Sequence, residues 1–264
     1  MTAMITAKDN DLIKHAVKLT ASVKYRRETG SFIAEGVRLC RDAADSGSVI
    51  EFFLYTEQAA RKYAADFDKI SRVAQKNISV SESVFNKISD RKAPQGVMCI
   101  VKALDKQSVS FKINKRGRYA ALENIQDPSN MGTILRTAEA LGTDGVILSA
   151  DCCDVYSPKT VRGSMGAVFR VPMIITESFT EYMAQLTRNG FHTYASTPHK
   201  ADDLHCVDFS QGGIMLIGNE GNGLKQQTID ACFKKVKIPM KGRAESLNAA
   251  AAAAILMYKL MESD

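Results

Sequence analysis

Hydrophobic positions change their spacing repeatedly along the front half of the chain, and each change predicts a new element. Apolar residues at helical spacing, with lysines between them, predict a first helix over residues 9–27. Short apolar runs then alternate with helical stretches. The predicted strands are 32–35, 50–56, 77–80 and 96–101, and the helices between them are 37–47, 57–67 and 82–89. The front half is therefore predicted to be a compact α/β unit.

The back half repeats this alternation more regularly. Its predicted strands are 119–125, 145–150, 170–175, 191–196, 214–218 and 235–239, and its helices are 131–142, 158–169, 179–190, 226–233 and about 246–261. Regular strand–helix alternation is typical of a mostly parallel sheet that is covered by helices on both faces. Ligands of such sheets bind beyond the carboxyl ends of the strands, so candidate chemistry is sought there.

Charge and composition divide the chain into three parts. Residues 1–105 carry a net charge of +4, residues 106–118 carry +5 without an acid, and residues 119–264 carry −3. A poorly alternating, charged segment between two α/β patterns predicts a linker, so the expected division is a domain at 1–105, a basic linker at 106–118 and a domain at 119–264. The basic front half favours a polyanionic partner, although a solvated basic surface explains the same charges.

Composition excludes several classes of protein. Hydrophobic residues make up 45% of the chain and charged residues 24%, which is the balance of a globular protein with a sizeable core. Charged residues at Lys8, Asp9 and Asp11 interrupt any secretory signal, so a cytoplasmic location is expected. The six cysteines form no Cys-x-x-Cys pair and the four histidines no HExxH motif, so neither a disulfide framework nor a metal site is expected.

Three segments at the ends of predicted strands could carry chemistry. The first follows strand 119–125, where Asn130 is expected to cap a helix. Arg136 projects about 100° or more from the apolar stripe of that helix, towards solvent or a ligand. Either residue could serve structure alone.

The second segment is the glycine-rich loop 218–224, which contains Glu220. Its glycines allow a backbone to approach a ligand closely, although a plain turn would explain them equally well. In the third segment Ser246 is expected to cap the last helix, and six consecutive alanines offer a smooth surface for a helix or a cofactor.

In combination and order, these segments resemble the SpoU (TrmH-type) family of RNA 2′-O-ribose methyltransferases. The resemblance lies in NMGTILRTAEALG, SPKTVRGSMGAVFRVP, IGNEGNGL and IPMKGRAESLNAAAAAAIL. The front half is similar to the substrate-binding domain of the family in FIAEGVRLCRDA and ISDRKAPQGVMCIV. Many members read SLNVSVA where this chain reads SLNAAAA, so a polar side chain beyond Asn248 is missing.

The resemblance implies a trefoil-knotted α/β domain that binds S-adenosylmethionine. It also implies that the substrate is RNA and that two copies of the chain form a homodimer through the last helix. Ribosomal RNA is the expected substrate, transfer RNA the alternative. The cofactor-binding positions that it implies are Thr197, Gly218, Ile238 and Leu247, and the catalytic candidates are Asn130, Arg136, Glu220, Ser246 and Asn248.

A guanidinium holds its proton at neutral pH, so Arg136 is expected to bind a phosphate and polarise the ribose hydroxyl, while the other candidates orient the reacting groups. Two other functions stay open at this point. A noncatalytic RNA-binding protein could keep the fold without the transfer reaction, and a small-molecule transferase could use the glycine loop for a nucleotide.

Overall fold

A computed structural model describes residues 4–104 and 112–262, and the chain folds into two compact units. One unit contains Met1–Ser108 and Asp154–Arg170, and the other contains Val109–Cys153 and Val171–Asp264. No helix in the described parts of the chain is long and apolar enough to cross a membrane.

The elements follow one another in strand–helix alternation. Up to residue 102 they are α1 (Asp11–Ala21), α2 (Val23–Thr29), β1 (Ser31–Glu35), α3 (Val37–Asp45), β2 (Ile50–Tyr55), α4 (Glu57–Lys62), α5 (Ala64–Val73), β3 (Asn77–Ser79), α6 (Glu82–Ile88) and β4 (Val97–Lys102). From residue 118 they are β5 (Arg118–Leu122), α7 (Pro128–Leu141), β6 (Gly145–Ser149), α8 (Pro158–Gly163), β7 (Met173–Thr176), α9 (Phe179–Arg188), β8 (Thr193–Ser196), β9 (Asp202–Asp203), β10 (Gly213–Ile217), α10 (Gln226–Ala231), β11 (Lys234–Lys237) and α11 (Ala249–Met261).

The first unit is built on a four-stranded sheet with the order β1-β4-β2-β3. β4 runs antiparallel to β1 and β2, and β3 runs parallel to β2. Alternate apolar residues of this sheet, such as Ile33 and Ile100, pack against α1 and α6 in one buried cluster. The predicted α/β unit is therefore confirmed.

Two predicted helices of this unit are interrupted. The helix expected over residues 9–27 divides at Ser22, whose extended backbone ends α1 and whose hydroxyl accepts a hydrogen bond from the Tyr25 amide at the start of α2. The helix expected over 57–67 ends at Lys62, and a new helix then continues to Val73. Local capping by Ser22 therefore decides a boundary that the apolar spacing alone did not indicate.

The second unit is built on seven parallel strands in the order β7-β6-β5-β10-β8-β11-β9. Strands β5, β6 and β10 are almost wholly buried, as expected where helices cover both faces of a sheet. The predicted parallel sheet is confirmed, whereas the two-residue strand β9 was not predicted. The knot that the family resemblance implies stays a prediction.

A segment from the back half of the sequence packs with the first unit. This segment is Asp154–Arg170. The ring of Phe32 in β1 stacks on the ring of Tyr156 in the segment with 4.6 Å between centroids, and on the ring of Phe169 at 5.8 Å. The helix predicted over 158–169 ends at Gly163 because Met165 and Gly166 have positive φ angles of 50° and 88°. The three-part division at 105 and 118 stays a prediction, and residues 106–111 of its linker lie outside the described residues.

A buried ion pair fixes this segment within the first unit. The Arg26 Nε lies 2.6 Å from the Asp154 Oδ2, and the two side chains are 4% and 8% exposed. The same guanidinium donates to the carbonyl oxygens of Leu19 and Thr20. Since both charges are removed from water, the loss of one would leave the other buried without its partner.

We therefore expect Arg26→Met to lower the free energy of unfolding by about 3–5 kcal/mol, measured by urea denaturation. The control is Lys24→Met on the same helix, where the lysine pairs with Glu28 at 3.8 Å and is 86% exposed. This control should change stability by less than about 1 kcal/mol, because exposed pairs contribute little. Equal losses in the two variants would contradict the prediction.

Candidate active site

The carboxyl ends of four neighbouring strands bring the predicted segments to one edge of the seven-stranded sheet. Strands β5, β10, β8 and β11 are adjacent and parallel. The amide of Glu123 donates to the Ile217 carbonyl, and the amide of Thr197 donates to the Val236 carbonyl, both at 2.9 Å. Thr197, Gly218 and Ile238 each come directly after one of these strands, so all three lie at this edge.

Gly218 occupies a position where no side chain fits. A Cβ atom at this residue would lie 2.1 Å from the carbonyl carbon of Gly223. The backbone of Gly223 therefore packs directly against that of Gly218 where β10 ends, and only glycine permits this contact. Leu247 is 37% exposed in the loop before α11, and Ile238 is half-buried.

Asn130 does not cap α7, contrary to the sequence-based expectation. The cap is Asp127, whose Oδ1 accepts the Ser129 amide at 2.7 Å, and Pro128 opens the helix. Proline at the first helical position needs no hydrogen-bond partner for its nitrogen, which explains the earlier start. Asn130 lies inside the helix, is 8% exposed, and has its side-chain amide available for other contacts.

A chain of three side chains joins the segments. The Asn248 Nδ2 donates to the Asn130 Oδ1 at 3.0 Å, and the Asn130 Nδ2 donates to the Glu220 Oε1 at 3.0 Å. The amide of Asn130 thus contacts both partners, one with its oxygen and one with its nitrogen. Three catalytic candidates from distant parts of the sequence therefore meet in one network.

Glu220 is held as a charged acceptor. Its carboxylate also accepts the backbone amides of Gln126 at 3.1 Å and Asp127 at 3.0 Å. Partial burial raises the pKa of Glu220, but the hydrogen bonds from Asn130, Asp127 and Gln126 outweigh it, and the pKa lies below its ordinary value near 4.5. Glu220 is therefore ionised at neutral pH and suited to orienting groups rather than to accepting a proton.

The glycine-rich loop is more than a plain turn. The Oδ1 of Asn219 accepts the amides of Gly221 and Asn222, both at 3.0 Å. Its Nδ2 donates to the Asn124 carbonyl at 2.8 Å, which ties the loop to the end of β5. These bonds fix the loop so that Glu220 points at the start of α7.

The last helix, in contrast to α7, begins later than predicted. Its cap is Asn248 and not Ser246, since the Asn248 Oδ1 accepts the amides of Ala250 and Ala251 at 2.9 and 3.3 Å. Ser246 is exposed in the preceding loop. Asn248 therefore has two functions, because one end of its side chain starts α11 and the other contacts Asn130.

The structure does not bring Arg136 into this network. Six helical positions separate it from Asn130, which places the two side chains about 120° apart around α7. Arg136 is exposed and forms no hydrogen bond or ion pair with any described residue. Its guanidinium is thus available to a partner outside the chain.

Sequence reasoning missed a buried carboxylate beside the site. Glu123 is 1% exposed, accepts the Lys225 amide at 2.8 Å and the Thr228 hydroxyl at 2.7 Å, and so joins β5 to the start of α10. An acidic residue directly after the apolar run at 119–122 is the signal that could have revealed it. Within the described residues, no group of three or more His, Cys, Asp or Glu side chains could hold a metal ion.

Comparison with known proteins agrees with this geometry. The sequence profile of the SpoU rRNA Methylase family matches residues 117–258, which is more than half of the chain. The chain belongs to the SpoU rRNA methylase family. A second profile, for an MRM3-like substrate binding domain, matches residues 10–99. The resemblance that the motifs indicated is therefore confirmed for both parts of the chain.

Similar proteins cover nearly the whole chain. The 23S rRNA guanosine 2′-O-methyltransferase RlmP of Bacillus subtilis is 27% identical, over 97% of this chain and 98% of that protein. A 23S rRNA uridine 2′-O-methyltransferase of Streptomyces viridochromogenes is 31% identical, over 89% and 83%. The solved structure of an AdoMet-bound rRNA methyltransferase from Sinorhizobium meliloti is 32% identical, covers 98% and 97%, and superposes with a TM-score of 0.87. The SpoU fold with an N-terminal domain is thus shared along the full length.

Substitutions at Asn248 and at Ser246, which both precede α11, test the observed cap directly. Asn248→Ala should lower the free energy of unfolding by about 1–2 kcal/mol, because two helix amides lose their acceptor. Ser246→Ala should change it by less than about 0.5 kcal/mol, because Ser246 is exposed and does not cap the helix. Chemical denaturation measures both values, and a larger loss for Ser246→Ala would contradict the assignment.

Proposed function

We propose that this SpoU-family chain transfers a methyl group from S-adenosylmethionine to a ribose 2′-hydroxyl of RNA. The observation that carries the proposal is the hydrogen-bonded chain from Asn248 through Asn130 to Glu220, because it joins three segments that carry the family resemblance at the ligand-binding edge of a parallel sheet. The similar proteins from Bacillus and Streptomyces act on 23S rRNA. Ribosomal RNA is accordingly the proposed substrate, with transfer RNA as the alternative.

The residues at the sheet edge fit such a cofactor. Thr197, Gly218, Ile238 and Leu247 are the proposed binding positions. Gly218 lets the backbone of the glycine-rich loop fold back against the end of β10, and we propose that peptide groups of this loop hydrogen-bond to the edge of an adenine. Ile238 and Leu247 supply apolar side chains for its faces. When bound, S-adenosylmethionine supplies an electrophilic methyl carbon on a sulfonium.

The chain's own part in the reaction is chiefly positioning. Methyl transfer to a hydroxyl needs the attacking oxygen in line with the sulfonium carbon, and correct placement accounts for much of the rate. Asn130, Glu220 and Asn248 hold the loops in register, and Ser246 is exposed beside them. Arg136 contacts the phosphate next to the target ribose and polarises its hydroxyl, since a guanidinium keeps its proton and offers a planar pair of donors. The hydroxyl proton passes to water as the oxygen takes the methyl group.

The proposed assembly is a homodimer through α11. One face of this helix packs against α7, while Ala251, Ile255 and Tyr258 on another face are exposed. Ile255 is 42% exposed and Tyr258 is 57% exposed, and their spacing forms an apolar stripe. We propose that a second copy of the chain covers this stripe.

Two further proposals concern the whole chain. The first unit selects the RNA, and the enzyme acts in the cytoplasm.

The main test is incubation with a labelled methyl donor and total RNA, followed by mapping of alkali-resistant linkages. Arg136→Lys should lower kcat by about 100-fold, because lysine keeps the charge but loses the planar pair of donors. The control Arg61→Lys changes an exposed arginine of the first unit and should keep wild-type turnover.

Binding of S-adenosylmethionine, measured by calorimetry with ATP as the comparison, should be equal in both variants. Full turnover by Arg136→Lys would remove the proposed role of the arginine. A wild-type protein that binds RNA, but neither binds the donor nor yields methylated RNA, would favour the noncatalytic alternative. One that prefers ATP to S-adenosylmethionine would favour a small-molecule transferase.

The dimer is tested separately by sedimentation velocity. Ile255→Glu should shift the protein from dimer to monomer at micromolar concentration, because a charge placed in an apolar contact loses its hydration without a partner. Val73→Glu, at a 51% exposed apolar position of the first unit, should leave the dimer intact. An unchanged sedimentation coefficient for Ile255→Glu would place the contact elsewhere.

A further inference from the structure

The edge of the seven-stranded sheet that lies opposite the candidate active site carries exposed aromatic and basic side chains. Here four loops lead into the neighbouring strands β5, β10, β8 and β11. The Gly213 amide donates to the Gly117 carbonyl at 2.9 Å, and the Ile214 amide donates to the His192 carbonyl at 2.8 Å. The four loops therefore form one continuous row, which we call the amino edge.

An exposed aromatic stack occupies one end of the amino edge. The rings of Phe233 and His192 lie 4.7 Å apart between centroids and 28° from parallel. Phe233 is 56% exposed, an unusual degree for a phenylalanine in an otherwise well-packed unit. One face of this ring contacts His192, and much of the rest is open to a ligand.

Buried neighbours hold this stack in place. The Phe233 amide donates to the Thr193 hydroxyl at 2.9 Å. Tyr194, only 2% exposed, packs edge-on against Phe233 and against Phe209. Burial raises the pKa of Tyr194 to about 12, with a smaller contribution from Asp208, so this supporting ring stays uncharged. Phe233 is thus an exposed ring on a rigid base.

Basic side chains occupy the other end of the amino edge. Lys112, Lys115 and Arg116 are exposed directly before β5. The Lys115 Nζ would lie 3.4 Å from a Cβ atom built on Gly190, so it reaches the loop that carries His192. Arg188 is also exposed at the end of α9, close to that loop.

Acidic residues compensate these charges only in part. Asp230 pairs with Lys235 at 3.0 Å, and Asp144 accepts the backbone amide of Arg118. Asp208 is exposed, and its carboxylate accepts hydrogen bonds from the amide and the hydroxyl of Ser210. The amino edge therefore combines an exposed aromatic ring with an excess of cations.

We propose that the amino edge binds a single-stranded segment of RNA, separately from the nucleotide that is methylated. Aromatic rings beside cations are the common platform for unpaired bases, whose faces are inaccessible in a duplex. Three strand-to-strand steps span about 14 Å, which suits the roughly 4 nucleotides of the smallest such sites. One base of the RNA segment stacks on Phe233, and phosphates of the same segment face Lys115 and Arg116. The inference rests on RNA being the substrate and adds a second contact to it.

The test measures binding of a fluorescein-labelled oligouridine of about 12 nucleotides by anisotropy, at several salt concentrations. Phe233→Leu should weaken binding by about tenfold, because it keeps an apolar side chain and loses the ring. Phe233→Tyr is the matched control and should bind as the wild type does. Ultraviolet crosslinking followed by mass spectrometry should attach the RNA at Phe233 or His192.

The charged end is tested by Lys115→Gln with Arg116→Gln. The slope of log Kd against log salt should fall by about 1.4, since each phosphate contact on a single strand contributes about 0.7. Arg61→Gln with Lys62→Gln, which removes two cations from α4, should leave the slope unchanged.

Unchanged affinity in Phe233→Leu, or crosslinks confined to other residues, would overturn the inference. So would a change of sedimentation coefficient without a change in RNA affinity, because Phe233 would then belong to a protein contact. Donor binding by Phe233→Leu should equal that of the wild type. If the wild type methylates no RNA while Phe233 still governs oligouridine binding, the proposed function fails and the second site stands; the reverse result removes only the second site.

Discussion

The side-chain amide of Asn130 makes the two contacts on which the arrangement of the candidate active site depends. It accepts from Asn248 and donates to Glu220, so one planar group joins the start of α11, the glycine-rich loop and α7. Glu220 in turn accepts two backbone amides ahead of α7, which keeps it ionised and prevents it from rotating towards another donor. Each side chain of this hydrogen-bonded chain has a partner in a different segment of the sequence. A shift of one loop would therefore leave a polar group in a neighbouring loop without its hydrogen-bond partner.

The sequence predicted which segments meet at this edge of the sheet, but it did not predict the contacts between them. Strand–helix alternation predicted a parallel sheet, and such a sheet places all carboxyl ends at one edge, so the three segments were expected to be neighbours. The expected caps at Asn130 and Ser246 were wrong. Cap preferences describe the contact of a side chain with its own helix, whereas the partners of Asn130 lie 90 and 118 residues away. Long-range partners of this kind leave no trace in local spacing.

The segment Asp154–Arg170 shows the same limit at the level of the fold. Its sequence continues the alternation of the back half, yet its aromatic and acidic residues pack with Phe32 and Arg26 of the first unit. Helical spacing predicted one helix there, but the left-handed backbone at Met165 and Gly166 ends it early. A non-glycine residue with positive φ costs free energy that surrounding contacts must offset. The contacts of this segment with Phe32 and Arg26 come from residues more than 100 positions earlier.

A parallel sheet also explains why two different surfaces can arise in one unit. Its carboxyl edge gathers the loops that follow the strands, and here these loops bring the side chains of Asn130, Asn248 and Glu220 into one hydrogen-bonded chain. Its amino edge gathers the loops that precede the same strands, and here it presents Phe233, His192 and the cations before β5. Because each strand contributes one loop to each edge, residues such as Phe233 and Ile238 are separated only by the length of β11. A substitution at one edge can therefore change RNA contact while the hydrogen bonds at the other edge stay intact, which permits the two surfaces to be varied independently.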